Sequence, residues 1–222
     1  ERWRGNGTPS VNAIIDGTSN DRFSYSLAGA GGELHDEDND GIYRARIESV
    51  YRPFKKQADG WQMYDGQGVS YLFGSDASSR IEGQAWLIDT VQDPSGNTIK
   101  YRYSSECELA IVGAPCDNDN QSRFLSEIHY TGYAPTNDSG TNRVTFEYEA
   151  RPDIKVAYHR GVREAQSLRL KLISVYAEGQ FVRAYSLEYS QYQQGISLLK
   201  TAKLIGRDQV FAITLRTLSY SE

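Results

Sequence analysis

Apolar and polar residues alternate along many short stretches of this chain, and turn-forming residues separate these stretches. The clearest example spans residues 86–103, where an apolar run ends at a turn that reads Asp-Pro-Ser-Gly-Asn. After the turn, Ile99, Tyr101 and Tyr103 alternate with two basic residues. A period of two places one face of a strand on a core and the other in water. Because Pro presets a turn's first corner and Gly and Asn tolerate positive φ, the stretch predicts a β-hairpin.

The same pattern recurs along the chain and predicts an all-β antiparallel meander. A second hairpin is predicted at residues 65–68, where Asp-Gly-Gln-Gly separates two apolar runs. Further strands are predicted at residues 23–27, 42–47, 124–131, 144–148, 168–177, 181–189, 197–205 and 210–220. The chain therefore holds about a dozen strands and hairpins. Since no linker rich in Pro, Gly or Ser interrupts them, residues 1–222 are predicted to form a single β domain.

Three segments are expected to lie mostly outside these strands. Residues 1–22 are predicted to be mostly irregular, although residues 11–15 could add an edge strand. Residues 104–122 are predicted to form an exposed loop. Residues 149–167 are the most polar stretch and predict an interruption before the strands resume at residue 168.

Charge and hydropathy exclude two classes of partner. The net charge of -5 lacks the basic excess of a nucleic-acid-binding surface. No run of about 18 apolar residues exists, so no membrane span is predicted. The first residues lack both a starting Met and the apolar segment of a signal peptide. We therefore expect a fragment or processed product. The chain has the character of a secreted, extracellular protein, and if the parent is secreted, its targeting signal lies outside these residues.

The chain has two cysteines, Cys107 and Cys116, on the predicted loop at residues 104–122. A local disulfide is the preferred interpretation, because the rest of the chain has the character of an extracellular protein. The alternative is a pair of free thiols in a cytosolic protein. Their number and spacing exclude a zinc site made of four cysteines.

An acidic segment is the candidate metal site. Asp36, Asp38 and Asp40, followed by Gly41, repeat the spacing of a calcium loop, in which alternate carboxylates converge on one hard cation. The pattern is incomplete, because the final acidic ligand of such a loop is replaced by Ile47. The alternative, which the incomplete pattern favours, is a solvated acidic loop without Ca²⁺. Asp117 and Asp119 form a second, weaker acidic segment.

The sequence Arg151-Pro152-Asp153 has two interpretations. Pro restrains the preceding residue to an extended conformation, and the Arg151 guanidinium could fork onto a carboxylate to form a conformational latch. The other interpretation is an ordinary strand exit. Trp61 and Trp86 could stack on sugars, but both lie in apolar strand patterns, which favours a buried core position.

No pattern of catalytic residues stands out. His35, His129 and His159 are far apart in the sequence, and His129 is predicted to face outward on a strand. A catalytic triad or a zinc site would require these side chains to converge in the fold. With 29 Asp and Glu residues, a chance pair of carboxylates carries no information. The chain is therefore expected not to be an enzyme.

Eight segments in a fixed order resemble the SpvB-type domain of bacterial toxin proteins. The segments lie at residues 60–74, 86–90, 93–103, 124–130, 144–153, 168–176, 182–189 and 197–199. The resemblance covers about residues 40–206. Such domains occur in the B components of insecticidal toxin complexes, in the Salmonella plasmid virulence protein and in RHS/YD-repeat proteins.

This resemblance implies an RHS/YD-like curved sheet or sandwich and a structural role. In toxin-complex B components the domain contributes strands to a shell that encloses a cytotoxic region, so the expected partners are other domains of a larger toxin polypeptide. The resemblance supplies no catalytic residues. The alternative function is a secreted module that binds carbohydrate or protein, assisted by Ca²⁺ at Asp36, Asp38 and Asp40.

Overall fold

The structure, a computed structural model, describes residues 10–14, 22–27, 29–47, 51–81, 84–117, 120–159, 162–192 and 195–220. Its contacts divide the chain into two compact units. The first comprises Glu1–Arg102 and Gly132–Ser139, and the second comprises Tyr103–Thr131 and Gly140–Glu222. The single-domain interpretation stays a prediction. Among the described residues, no helix is long and apolar enough to cross a membrane.

Nearly all of the regular structure is β-strand. The strands are β1 Ser10–Ile14, β2 Arg22–Leu27, β3 Ala30–His35, β4 Ile42–Ala45, β5 Phe54–Lys56, β6 Trp61–Tyr64, β7 Ser70–Phe73, β8 Arg80–Ile81, β9 Ala85–Gln92, β10 Asn97–Ser104, β11 Phe124–Tyr133, β12 Asn142–His159, β13 Val162–Ala177, β14 Gln180–Gln191, β15 Ser197–Ile205 and β16 Ala212–Thr217. One α-helix, α1, spans Glu106–Leu109, and 3-10 turns span Ala77–Ser79 and Ala134–Thr136. The all-β antiparallel prediction is confirmed, with 16 described strands against the expected dozen.

The first unit is a sheet that closes on itself. Strands β1 to β7 pair in sequence order, β7 pairs with β9, and β9 pairs back with β1. The long strand β9 makes this closure possible, because Ala85–Leu87 pair with β1 while Ile88–Gln92 pair with β7. The strand predicted at residues 11–15 is present as β1, but it is not an edge strand, because it pairs with both β2 and β9. Before Arg22, the rest of the segment predicted to be mostly irregular, residues 1–22, lies outside the described residues.

Inward-facing apolar side chains fill this ring. Strand β2 alternates strictly, so that Phe23, Tyr25 and Leu27 are buried and the residues between them are partly exposed. Trp61 is 1% exposed, and its ring centroid lies 4.7 Å from that of Phe23 and 5.9 Å from that of Trp86. The buried core position predicted for Trp61 is confirmed, whereas Trp86 is partly buried and packs against the same cluster. Burial of these large rings supplies much of the hydrophobic stabilisation of the unit.

The predicted hairpin at residues 86–103 is present as β9 and β10. The Asp93 N–H donates to the Asn97 carbonyl at 3.0 Å, and the Asp93 carboxylate accepts from the Asn97 N–H at 2.9 Å and from its side-chain amide at 2.7 Å. These bonds from Asn97 lower the pKa of Asp93. Only Gly96 has the positive φ that the turn requires, +92°, since Asn97 already begins β10.

In the second unit, β11 to β16 form an antiparallel meander in sequence order. The predicted interruption at residues 149–167 is wrong, because β12 and β13 run through it for 18 and 16 residues. Pro152 lies at an irregularity of β12, where the register with β13 shifts between Ala150 and Lys155. Beyond it, the larger apolar residues Ile154, Val156 and Tyr158 occupy every second position, which is the pattern of a strand although the segment as a whole is polar.

The predicted loop at residues 104–122 contains the short helix α1. Ser105 caps it: its hydroxyl accepts from the Glu108 N–H, and the Glu108 carboxylate accepts from the Ser105 N–H at 2.6 Å. This capping box has a sequence signature, Ser followed three residues later by Glu, which could have located the helix. The bond from the Ser105 backbone lowers the pKa of Glu108.

Candidate functional site

In the acidic segment between β3 and β4, two of the carboxylates accept hydrogen bonds from backbone N–H groups of the same turn. The Asp36 carboxylate accepts from the backbone N–H of Asp40 at 3.0 Å and of Gly41 at 3.1 Å. The Asp40 carboxylate accepts from the Ile42 N–H at 2.8 Å and from the Arg44 guanidinium at 3.0 Å. The bond from Arg44 lowers the pKa of Asp40.

This geometry favours the solvated acidic turn over the calcium site. Asp38 lies 3.7 Å from the guanidinium of Arg44, which also pairs with Asp40, so one cationic side chain already offsets part of the negative charge of the segment. Within the described ranges, no group of three or more His, Cys, Asp or Glu side chains could hold a metal ion. In the second acidic segment, Asp117 pairs with Arg163, and Asp119 lies outside the described residues. Calcium binding at Asp36, Asp38 and Asp40 stays a prediction.

The described histidine side chains each face a carboxylate two residues away on the same strand. The Nε2 atom of His35 lies 3.4 Å from the Glu33 carboxylate, and that of His129 lies 2.7 Å from the Glu127 carboxylate. The prediction that His129 faces outward is wrong, because its side chain is only 15% exposed. The side chain of His159 lies outside the described residues.

One buried carboxylate in the first unit organises a turn. Asp89 is 3% exposed, and it accepts from the Ser75 N–H and hydroxyl, both at 2.6 Å. It also accepts from the Asp76 N–H at 3.2 Å and from the Ser79 hydroxyl at 3.0 Å. Asp89 was not among the residues predicted to form a site. An acidic residue within the apolar run at residues 86–91 was the available signal, since a buried polar group requires hydrogen-bond partners.

Arg151 and Asp153 form the centre of a polar network in the second unit. The Arg151 guanidinium forks onto the Asp153 carboxylate, with N···O distances of 3.1 and 2.8 Å. Ser197 of β15 donates to the same carboxylate through its N–H at 3.0 Å and through its hydroxyl. Arg151 foremost, and then Ser197, hold the pKa of Asp153 well below its usual range. The fork predicted for Arg151 is confirmed, and the strand-exit interpretation is wrong because β12 continues to His159.

A second arginine extends this network to two more strands. Arg169 of β13 donates to the Glu149 carboxylate at 2.7 Å and to the Ser197 hydroxyl at 2.9 Å. Its guanidinium lies over the ring of Tyr189 of β14, 4.5 Å from the centroid. We call the side chains of Glu149, Arg151, Asp153, Arg169 and Ser197 the latch. It joins β12, β13 and β15 through charge-assisted hydrogen bonds, which are the stronger kind.

Cys107 and Cys116 are joined by a disulfide with an S–S distance of 2.04 Å. The two cysteines are nine positions apart in the sequence, and the loop that they close begins in α1. Asn120, just beyond this loop, is buried and bonded to both backbone polar groups of Ala165 in β13. The disulfide therefore closes a loop directly before the segment that lies along β13.

Strand β16 presents an open, apolar edge. It pairs with β15 on one side, and no described strand pairs with its other side. All six of its residues are exposed, including Ile213 at 64% and Leu215 at 46%. Val210 and Phe211, just before it, are 74% and 73% exposed. An apolar strand edge of this kind is a template for pairing with further sheet.

Comparison with solved structures identifies the fold. The N-terminal domain of effector protein SpvB from Salmonella typhimurium strain LT2 aligns with a TM-score of 0.70 and 18% sequence identity, over 90% of this chain and 87% of that chain. A crystal structure of TcdB2-TccC3 aligns with a TM-score of 0.73 and 17% identity, over 97% of this chain. The Tc holotoxin pore of Photorhabdus luminescens aligns with a TM-score of 0.71 and 17% identity, over 96% of this chain.

The chain spans only 14% of the length of the two toxin-complex chains that it matches. Curated protein sequences yield no match. The family model described as Salmonella virulence plasmid 65kDa B protein matches residues 41–188, which lie within the range that the sequence resemblance covered. Since this match covers more than half of the chain, the protein belongs to the SpvB family.

Proposed function

We propose that this chain is a non-catalytic structural domain of a secreted RHS/toxin-complex-type protein, in which it contributes β-sheet to a shell that encloses or delivers a toxin. The observation that carries the proposal is the open edge of β16 with its exposed apolar side chains. An exposed apolar strand edge favours aggregation when it is left bare. Further sheet from the same polypeptide or complex would cover it. The partners are thus other domains of a larger toxin-type protein.

The long strands of the second unit support this mechanical role. Strands β12 to β15 have 18, 16, 12 and 9 residues. The latch ties three of them together through side chains that are largely withdrawn from water, since the side chains of Arg151 and Asp153 are each 13% exposed. Such a network favours one fixed register over alternatives. A shell wall requires this kind of rigidity.

The shell proposal is tested in the polypeptide that contains this domain. Ile213→Lys places a charge on the exposed apolar face of β16, and Thr214→Lys places the same charge on the opposite face of the same strand. We expect Ile213→Lys to increase proteolysis of the enclosed region and Thr214→Lys to increase it less. Thermal unfolding of the purified domain controls for misfolding, which we do not expect because Ile213 is 64% exposed. Equal, wild-type protection in both variants would refute the proposal.

The absence of catalysis is a separate part of the proposal. It is supported by Asp89 and Asp153, two acidic residues withdrawn from solvent whose carboxylates already accept several protein hydrogen bonds. Screens for hydrolase and nucleotide-transfer activity should give no turnover above buffer. Reproducible turnover that disappears on substitution of one residue would contradict this part.

A further inference from the structure

The residues that follow the disulfide loop of the second unit cover one edge of β13. We call residues 105–117 and 120–122 the strap. The Asn120 side chain donates to the Ala165 carbonyl at 3.0 Å and accepts from the Ala165 N–H at 2.8 Å. The Gln121 N–H donates to the Arg163 carbonyl at 3.1 Å, and Asp117 pairs with the Arg163 guanidinium. The strap thus takes the place of a neighbouring strand at this edge, and Ala165 is 1% exposed.

The closed strap contains a group that opposes its closure. Glu106 of α1 is 3% exposed, and one carboxylate oxygen accepts from the Asn120 side chain at 2.9 Å. Its other oxygen, Oε1, is buried and has no hydrogen-bond partner among the described residues. A buried carboxylate oxygen without a partner destabilises the state that buries it. Opening the strap would return this oxygen to water.

The disulfide opposes that opening. It joins Cys107, inside α1, to Cys116, next to Asp117. With both ends of the loop tied, the open strap has fewer conformations, so that opening is less favourable. Cys116 is exposed, so a small thiol can reach the bridge.

We propose that the Cys107–Cys116 disulfide is a redox switch that holds the strap on β13, and that reduction by a thiol opens the outer edge of β13 at Arg163–Ala165. A thiolate attacks the Cys116 sulfur and releases Cys107 as a thiolate, which takes up a proton. A second thiolate displaces the Cys116 sulfur, which is also protonated, and the reductant leaves as its own disulfide. Two electrons thus pass from two thiols to the protein. The domain then differs in structure between oxidising and reducing compartments.

Hydrogen exchange of the full chain, with and without dithiothreitol, tests this proposal. The Ala165 N–H reports the strap directly, because it donates to Asn120. Reduction should accelerate its exchange about 100-fold, as expected for loss of a loop of this size. Neighbouring amides of β13 that point toward β12 are the internal control and should change little. Unchanged exchange at Ala165 in a sample with two free thiols would overturn the proposal.

Two variants separate the redox effect from general destabilisation. In a Cys107→Ser/Cys116→Ser variant, the Ala165 N–H should exchange as fast as it does in the reduced wild-type protein, whether or not dithiothreitol is present. Glu106→Gln replaces the buried charge with a neutral amide and should slow the exchange of the reduced protein. If exchange in the double serine variant still responds to dithiothreitol, the redox switch is not this disulfide. If the Ala165 N–H exchanges at the same rate in reduced Glu106→Gln as in reduced wild type, the buried Glu106 carboxylate does not favour opening of the strap.

Discussion

Removing the Asp153 carboxylate should destabilise the second unit more than removing any exposed charge of the same sheet. Asp153→Ala leaves the Arg151 guanidinium, which is 13% exposed, without its carboxylate, and removes two bonds from Ser197. Breaking a largely buried ion pair of this kind costs about 2–4 kcal/mol. In a chain of this size, that loss corresponds to a decrease in Tm of about 5–15 °C. Urea and thermal unfolding measure both quantities.

The matched control is Glu188→Gln, which breaks the ion pair between Glu188 of β14 and Lys203 of β15. Glu188 is 51% exposed, so this change should cost less than about 1 kcal/mol. A double-mutant cycle with Arg151→Ala and Asp153→Ala should give a coupling energy of about 1–3 kcal/mol. If Asp153→Ala costs no more than Glu188→Gln, the latch does not stabilise the sheet and the reasoning fails.

The latch also has a pH signature with a defined sign. Because Arg151 and Ser197 lower the folded-state pKa of Asp153, its contribution is fully present above the unfolded pKa of about 4 and is lost as pH falls below it. The difference in unfolding free energy between wild type and Asp153→Asn should therefore be largest near neutral pH and shrink in acid. A difference that stays constant from pH 7 to pH 2 would contradict this assignment.

Three further predictions concern a glycine, a tyrosine and the acidic turn. Gly74→Ala should lower the free energy of unfolding by about 2–4 kcal/mol, because φ is +70° and the new Cβ would lie 2.3 Å from the Trp86 ring. Gly29→Ala is the control: φ is +76° but no atom lies within 4 Å of the new Cβ, so the loss in the same thermal melt should be only about 1 kcal/mol. Burial raises the pKa of Tyr148 to about 12, so its stabilising contribution should persist below about pH 10 and be lost as pH rises toward 12, as followed by phenolate absorbance. Added Ca²⁺ should leave Tm unchanged, because the acidic turn already uses its carboxylates; a Ca²⁺-dependent increase in Tm that Asp38→Ala abolishes would establish the calcium site and favour the binding-module alternative.

Local patterns predicted most of the strands correctly. The hairpin of β9 and β10 followed from alternation and from the turn at residues 93–96, because both depend only on neighbouring residues. The interruption predicted at residues 149–167 was wrong, because the stretch is polar as a whole but keeps the alternation of Ile154, Val156 and Tyr158 that is typical of a strand. The helix α1 was missed although its capping box is also local. In both places, the local sequence therefore carried the signal for the element that formed.

Other features could not be read from any local pattern. The closure of the first unit depends on β1 reaching β9, which lies about 75 residues further along the chain. The latch depends on Ser197 meeting Asp153, 44 residues away, and the strap on Asn120 meeting Ala165, 45 residues away. The strict alternation of β2 predicts that one face is buried, but it does not say which strands lie opposite.

By itself, the sequence determined the all-β class, the positions of most strands and turns, and membership of the SpvB family. Alternation and turn chemistry are properties of adjacent residues, so short stretches of the sequence are enough to encode these features. Only the tertiary structure decided that the first sheet closes, that Asp153 and Ser197 meet and that the strap covers β13. It also decided that no strand of the described ranges pairs with the outer edge of β16. Each of these depends on the register between distant strands, which is set by the packing of the whole sheet.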